Sequence, residues 1–445
     1  MTEYVNVHFA LETLRQEALA HGRPGPRVLV LGPANAGKTS LLKLLTAYAI
    51  RSDRQPVVAN LDPQEGVLSL PGTLTAVAFK TILDVEEGWG SSPLSGPSAT
   101  PVKLPLVYNY GLPDPIASDA SGGHYKAIIS KLALAVSGRL NEDTLARAAG
   151  LLIDTPADLS NTTNPIAASI IEHIITEFSV SHILILGSER LYSDILKRWE
   201  GKPTSTPANA NNPTLTNGAS TTAPPETITV AKLSKSGGCV DRDSSFTSSH
   251  RAAQVRAYFF GTSSSSSQPA STLALTLSPR QQQVDFSQLA VYKFNLGAVT
   301  SLGPGLGSGE IDVSAAMLQF LPGGDNDNDD EYDPTHLQPA SSSAQPSTAA
   351  DNASLSAGLY TRLTHASAAL TNQILTIMDA DPDASEREIQ EASVLGFLYV
   401  SDVVDPVVGS GNPAKVAILA PVPGRIPRKA LVWSQAWPGE VGGVV

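Results

Sequence analysis

Gly32-Pro33-Ala34-Asn35-Ala36-Gly37-Lys38-Thr39 constrains this chain more than any other stretch. It reads G-x-x-x-x-G-K-T. The residues before it, Arg27-Val28-Leu29-Val30-Leu31, form an apolar run that predicts a buried parallel strand. Those after it, Ser40 to Ala49, carry the apolar spacing of a helix. Strand, glycine-bounded loop and helix in that order build a phosphate cradle: backbone N–H groups turn inward at the positive end of a helix. Gly32 and Gly37 let the backbone curl, and Ala34, Asn35, Ala36 and Ser40 complete the lining. Lys38 reaches the β- and γ-phosphates of a nucleotide, and the Thr39 hydroxyl ligates Mg²⁺.

A chain of 445 residues has room for two domains and linkers. The formal net charge of -12 argues against a broad basic face for nucleic acid, though not against a local basic groove. Cys239 is the single cysteine, which excludes a disulfide framework and a thiolate metal site. It reads as a buried or neutral thiol in a reducing compartment. The N-terminus lacks the basic-then-apolar pattern of a signal peptide, and no apolar run approaches the ~20 residues of a membrane span. A soluble, intracellular protein is expected.

Val7 to Ala20 predicts an amphipathic helix. Beyond the loop unit, Pro56 to Asp62 is a second buried-type strand that ends in a carboxylate. Leu104 to Tyr110 reads as a short strand and Tyr125 to Leu140 as a helix. Gly150 to Thr155 is an apolar strand ending in Asp154, the pattern in which a carboxylate holds Mg²⁺ through water. A helix over Ile166 to Phe178, a strand over His182 to Gly187, a helix over Glu189 to Glu200 and a strand over Thr227 to Leu233 follow. Strands alternating with helices predict an α/β fold, a P-loop NTPase parallel sheet flanked by helices. Residues 201–226, rich in Pro, Thr, Asn and Ala, read as a disordered insertion. Past residue 272 the pattern changes to short strands, at 273–277, 289–294, 394–400 and 414–420, with one helix expected within 356–379. This predicts a smaller, mainly β domain. The expected division is a nucleotide-binding domain over 1–262 and a C-terminal domain over 273–445, the latter interrupted by an acidic, Ser-rich insertion at 322–354.

In a parallel sheet the active site lies beyond the carboxyl ends of the strands. Asp62 therefore falls on the side of the phosphate loop, where it can order Mg²⁺ or accept a proton from an attacking hydroxyl, or merely cap the next turn. The candidate metal set is Thr39, Asp62 and Asp154, partly through water. Arg251 and Arg256, five residues apart, point to different faces of an ideal helix. They read either as lid cations that close on phosphate or as a solvated face. The acidic run 323–331 imitates a calcium loop, but Asp330 stands where Gly is needed and His336 where Glu is needed. The eight histidines show no metal-type spacing. Guanine specificity usually needs an N-K-x-D element, and none is present; Asn60-Leu61-Asp62-Pro63 resembles a strand end of the GPN-loop GTPases without their Gly-Pro-Asn insertion.

Several stretches together resemble one family, the Clp-type subunit of the pre-mRNA cleavage factor, related to the polynucleotide 5′-hydroxyl kinases. They are Asn6 to Glu12, the loop Gly32 to Thr39, Leu61-Asp62-Pro63-Gln64, Ser69-Leu70-Pro71-Gly72-Thr73, Pro105 to Gly111, Glu189 to Tyr192, Lys235-Ser236-Gly237-Gly238 and Arg256 to Gly261. Gly396-Phe397 and Pro421 fit the family's C-terminal domain. The resemblance implies ATP and Mg²⁺ as ligands. In kinase-competent members the position matching Asp62 is the base, and lid arginines stabilise charge while the γ-phosphate moves to an RNA 5′-hydroxyl. Members of the fungal branch resemble ATP-bound scaffolds in cleavage factor IA, beside a Pcf-type partner, supporting mRNA 3′-end formation in the nucleus.

Departures from the kinase pattern favour the scaffold. Asp154-Thr155-Pro156-Ala157-Asp158 stands where active members carry Asn-Thr-x-Gly-Trp. Asp119 to Gly123 lacks the Asn of the clasp loop. Thr247 to Arg251 retains one arginine of an expected pair. The family's small β-domain before the loop unit has no counterpart ahead of Asn6, so it is expected to be missing. The resulting expectation is an ATP-binding subunit of the 3′-end processing machinery with weak or no kinase activity. An active RNA 5′-hydroxyl kinase is the alternative, and a GPN-like GTPase a remoter one.

Overall fold

Residues 2–66, 68–80, 105–116, 122–204, 226–260, 279–295, 358–404, 414–421, 424–435 and 437–438 are described in the computed structural model. The acidic run 323–331, the expected strand 273–277, residues 81–101 and most of the two expected insertions lie outside them.

The first unit alternates strand and helix as its sequence periodicity predicts, except that β3, which the sequence did not announce, and β4 follow β2 with no described helix between them. Helix α1 (Thr2–His21) precedes β1 (Arg27–Leu31) and α2 (Lys38–Arg51); then come β2 (Val57–Asn60), β3 (Thr73–Ala78) and β4 (Leu106–Asn109). Helices α3 (Gly123–Glu142) and α4 (Thr144–Ala149), strand β5 (Leu151–Asp154), helix α5 (Pro165–Glu177), β6 (His182–Leu186), α6 (Glu189–Trp199), β7 (Thr229–Leu233) and helix α7 (Ser244–Phe260) complete it. The strand order is β4-β3-β2-β5-β1-β6-β7. From β2 to β7 all neighbours are parallel, while β3 and β4 extend one edge antiparallel.

The central strands read as continuous apolar runs because both faces are covered. Leu29, Leu31, Ile153, Ile183 and Ile185 point to a core shared with α3 and α5. Val28, Val30, Leu152, Leu184 and Leu186 point the other way, to Leu11 of α1 and to Leu41, Leu42 and Leu45 of α2. Strand alternation thus sends one short segment into two cores, the signature of a doubly wound sheet.

The second sheet is built from β8 (Arg280–Asp285), β9 (Ala290–Phe294), β10 (Tyr360–Arg362), β11 (Ile374–Met378), β12 (Val394–Val404), β13 (Lys415–Ala420) and β14 (Ala430–Trp433), in the order β10-β9-β14-β11-β12-β13-β8. One face, with Leu375, Ile377, Leu398, Val400, Ile418, Leu431 and Trp433, has its own core. The other face, with Ile374, Met378, Tyr399 and Val432, is continuous with the core of the first unit. A helix was expected within 356–379; β10 and β11 occupy that span instead. All five residues of β11 are buried, so its apolar run serves both faces of a central strand. Among the described residues, the α-helix of this domain is a short one, α8 (Glu386–Glu391), opened by a capping box at Ser385 and Glu388.

The two units meet along α7, α3 and β4. Tyr258 and Phe259 of α7 are buried, and their rings pack edge-on against Phe397 and Tyr399. The Tyr258 hydroxyl accepts a hydrogen bond from the Phe397 N–H. Lys131 of α3 pairs with Glu391 of α8 at 2.7 Å. His124 of α3 accepts at Nδ1 from the Gln390 side-chain amide and donates from Nε2 to the Tyr110 carbonyl, which assigns its tautomer.

Candidate functional site

The carboxyl ends of β1, β2 and β5 converge on the loop Gly32 to Thr39. Asn35 and Gly37 are both left-handed, at φ 57° and φ 90°. Asn tolerates that conformation and Gly adopts it freely, so the loop turns its amides toward one point at the start of α2. Any Cβ at Gly37 would also meet Cys239 Sγ at 2.6 Å. Gly32 has a different reason to be glycine: a Cβ there would lie 2.9 Å from the Leu186 carbonyl oxygen of β6. Backbone approach explains Gly32, and backbone handedness explains Gly37.

Lys38 donates to the Gly32 carbonyl at 3.0 Å and to the Pro33 carbonyl at 3.2 Å, so its ammonium arches over the loop. Thr39 Oγ1 donates to Asp154 Oδ2 at 2.5 Å, and Asp154 Oδ1 accepts from the Thr155 N–H at 3.0 Å. The register of β2 against β5 pairs Asn60 with Asp154. Asp62, two residues past that pair, is close enough for the Asp154 charge to act on its carboxyl. Asn60 organises this turn. Its side chain accepts from the Asp62 N–H and donates to the Asp62 and Glu65 carbonyls, while Asp62 Oδ1 accepts from the Gln64 N–H.

Burial, with Glu65 and Asp154 nearby, pushes the Asp62 carboxyl up to about 7. Burial also pushes Asp154 up to about 6, against the Thr39 hydrogen bond and Lys38, which favour its charged form. Asp158, in the turn after β5, is raised by burial and by Asp114 and lowered by Lys38; its Oδ2 is buried without a hydrogen-bond partner. The site sets several carboxyls around one ammonium, but among the described residues no three acidic, imidazole or thiol side chains stand close enough to hold a metal ion by themselves, so a divalent cation here would need Thr39 and the phosphate oxygens of a nucleotide as well. The oxygen-only donors fit Mg²⁺ better than a softer metal.

The structure brings Lys38, Thr39, Asp62 and Asp154 together and separates the two arginines. Arg251 stacks on the Trp437 ring, 4.4 Å from its centroid, whereas Arg256 is exposed and lies over Phe260. Asp119 to Ser121 lie outside the described residues. Sequence reasoning passed over Asn60, Glu65, Asp158 and Trp437. Asn60 and Asp158 stand next to strand ends already singled out and were findable. Trp437 was not, because its contact with Pro63 spans 374 residues. Cys239, expected as a buried or neutral thiol, is half-buried against the loop, where Sγ lies 3.5 Å from the Ala36 carbonyl oxygen.

A phosphate-type loop between β1 and α2 of a parallel sheet, with an acid at the end of the adjacent strand, defines a P-loop protein. The particular branch follows from comparison with known proteins. Residues 32–222 match the family described as mRNA cleavage and polyadenylation factor CLP1 P-loop, and residues 277–439 match Pre-mRNA cleavage complex II protein Clp1. The mRNA cleavage and polyadenylation factor CLP1 of Coccidioides immitis is 47% identical over 468 residues, a match covering 100% of this chain and 79% of the relative. That of Aspergillus oryzae is 48% identical over 464 residues, covering 100% and 78%. A solved Clp1p–Pcf11p complex matches with a TM-score of 0.66 and 26% identity, over 97% of this chain and 78% of the other. A second, from a study of the Pcf11p–Clp1p interface and of ATP loss in a glycine-to-arginine point mutant, matches with a TM-score of 0.68, 25% identity and coverage of 97% and 79%. The chain belongs to the Clp1 family of mRNA cleavage and polyadenylation factors. Among the described residues, no helix is long and apolar enough to cross a membrane.

Proposed function

We propose that this chain is an ATP-binding subunit of the mRNA 3′-end cleavage and polyadenylation machinery, and that it holds Mg–ATP as a structural ligand. The observation that carries the reading is the assembled set of Lys38 over its loop, Thr39 bonded to Asp154, and Asp62 alongside. The loop amides and Lys38 would cradle the phosphates. Thr39 would ligate Mg²⁺, with Asp154 and Asp62 acting partly through water. Bound Mg²⁺ supplies charge neutralisation, and the protein supplies position.

The residues that would add transfer chemistry are less well placed. Arg251 is engaged with Trp437, Arg256 is exposed over Phe260, and the turn after Asp154 offers Asp158 where an aromatic platform would stand. Missing charge stabilisers of this kind cost orders of magnitude in rate, whereas nucleotide binding needs none of them. One observation favours a second reading, RNA 5′-hydroxyl kinase: a carboxyl near pH 7 in its titration, as at Asp62, suits a general base. The similarity to Clp1p–Pcf11p complexes supports a Pcf11-type partner, within cleavage factor IA, and a nuclear location.

Purified protein analysed for bound nucleotide, alongside transfer of labelled γ-phosphate to a 5′-hydroxyl oligoribonucleotide, separates the two readings. Intact ATP without transfer supports the scaffold. Transfer that Lys38→Ala and Asp62→Ala abolish supports the kinase.

A further inference from the structure

The turn that carries Asp62 is not held by its own domain alone. The Pro63 carbonyl accepts from the Gly72 N–H at 2.8 Å and also from the Trp437 indole N–H at 3.2 Å. The Gly66 carbonyl accepts from the Gln254 side chain of α7 at 3.3 Å. Glu65 faces Arg242, just before α7, at 3.8 Å. The turn is therefore gripped from two sides, by the helix that bears Arg251 and by a residue just past the last strand of the second sheet. The same indole joins those two sides, because the Arg251 guanidinium lies over its ring at 4.4 Å.

The indole is seated by construction. A Cβ at Gly72 would come within 3.1 Å of Trp437 Cδ1, so a larger residue there would push the ring away. Trp437 follows β14 by only a few residues, and β14 is buried along its whole length between β11 and β9. Its anchor is thus a rigid element, while its two contacts, the Asp62 turn and the Arg251 side chain midway along α7, are a loop and a long, half-buried side chain. A rigid element holding two less constrained ones is the arrangement in which an outer residue sets the geometry of an inner one.

We propose that Trp437 is a positioning residue for the Asp62 turn and for Arg251, so that the second sheet sets the metal-facing side of the phosphate-loop site. Its indole N–H fixes the Pro63 carbonyl and thereby the approach of Asp62 to Asp154. Its ring parks the Arg251 guanidinium. This assignment rests on reading the site as one for Mg–nucleotide. Trp437 meets Pro63, Gly72 and Arg251, whereas Lys38 bonds to the Gly32 and Pro33 carbonyls, so the phosphate contacts rest on a different set of residues.

The test uses the full chain with Trp437→Ala and Trp437→Phe. Without nucleotide, amide hydrogen exchange in a peptide covering 61–66 should accelerate in both variants, since neither offers the indole N–H. Exchange in a peptide of α7 that covers Arg251 should accelerate in Trp437→Ala and be restored in Trp437→Phe, which keeps a ring under Arg251. With nucleotide, Trp437→Ala should weaken Mg–ATP about tenfold, the usual loss when an outer partner of a metal ligand is removed. It should leave ATP affinity in EDTA unchanged. Unchanged exchange over 61–66 overturns the proposal, as does an equal loss of affinity with and without Mg²⁺. If Trp437→Ala does not fold, the 61–66 exchange in Trp437→Phe decides. If the wild-type chain binds no nucleotide at all, the nucleotide reading fails, while the exchange measurements still decide whether Trp437 holds the turn.

Discussion

Thr39 Oγ1 donates to Asp154 Oδ2 across 2.5 Å, tying the first turn of α2 to the end of β5. The hydroxyl offsets part of the cost of burying the Asp154 carboxylate. Thr39→Ala should lower the stability of the nucleotide-free protein at pH 8 by about 1–3 kcal/mol, the cost of an orphaned buried acceptor, and Thr39→Ser should largely restore it. The bond favours the charged carboxylate, so its contribution is present above about pH 6 and is lost as pH falls through the Asp154 titration. Urea unfolding at pH 5 and pH 8 checks this: the gap between wild type and Thr39→Ala should be smaller at pH 5.

Asp62 predicts a pH dependence of the opposite kind. Its folded-state titration, at about 7, lies above the ordinary 3.8, so the native protein binds the proton more tightly than the unfolded chain. Asp62 is therefore neutral in the native state at low pH, and its charge destabilises the native state increasingly from pH 4 to pH 7. Asp62→Asn keeps an oxygen for the Gln64 N–H and removes the charge. Nucleotide-free Asp62→Asn should be more stable than wild type by about 1–3 kcal/mol at pH 8 and should match it at pH 4. His173 and His182, held neutral by burial, act on both proteins alike and cost stability below their ordinary value of 6.5. Stability curves of the two proteins that run parallel between pH 4 and pH 8 would exclude the assignment.

The joint between the sheets can be tested at one atom. Tyr258→Phe leaves the ring contacts with Phe397 but removes the hydroxyl that accepts from its buried N–H. The expected loss is about 1–3 kcal/mol. Chemical denaturation followed by tryptophan emission measures it, and an unchanged midpoint would mean that the joint does not depend on this bond.

Arg15 of α1 is 1% exposed; its Nε donates to the Ala149 carbonyl, while Glu12 bridges toward it and Arg54. Removing Glu12 leaves two cations near each other, one of them buried. Glu12→Ala should cost about 3–5 kcal/mol in a thermal or urea melt, well above a surface ion pair. A loss below about 1 kcal/mol would place the pair in the surface class.

The first half of the fold was legible because buried parallel strands are apolar throughout and the glycine-bounded loop marks its own context. Arg27–Leu31 and His182–Leu186 fall where the apolar runs lie. The second sheet was less legible. Arg280-Gln281-Gln282-Gln283-Val284-Asp285 forms an edge strand against β13, and an exposed edge needs no apolar alternation. No strand was expected over Thr73–Ala78, although it is buried and pairs antiparallel with β2. The expected helix within 356–379 failed because a strand buried on both faces has the same composition as a buried helix. At the site, Lys38, Thr39 and Asp154 are set by local motif, whereas Trp437 and Cys239 arrive through packing, which periodicity does not encode.

The central claim is that the phosphate-loop site retains ATP without turning it over. Denaturing the purified protein and resolving the released nucleotide tests this most directly. The account predicts ATP, intact, in the wild-type protein, none in Lys38→Ala, and no labelled phosphate on a 5′-hydroxyl oligoribonucleotide. Release of ADP alone, or labelled RNA whose formation depends on Lys38 and Asp62, would contradict it.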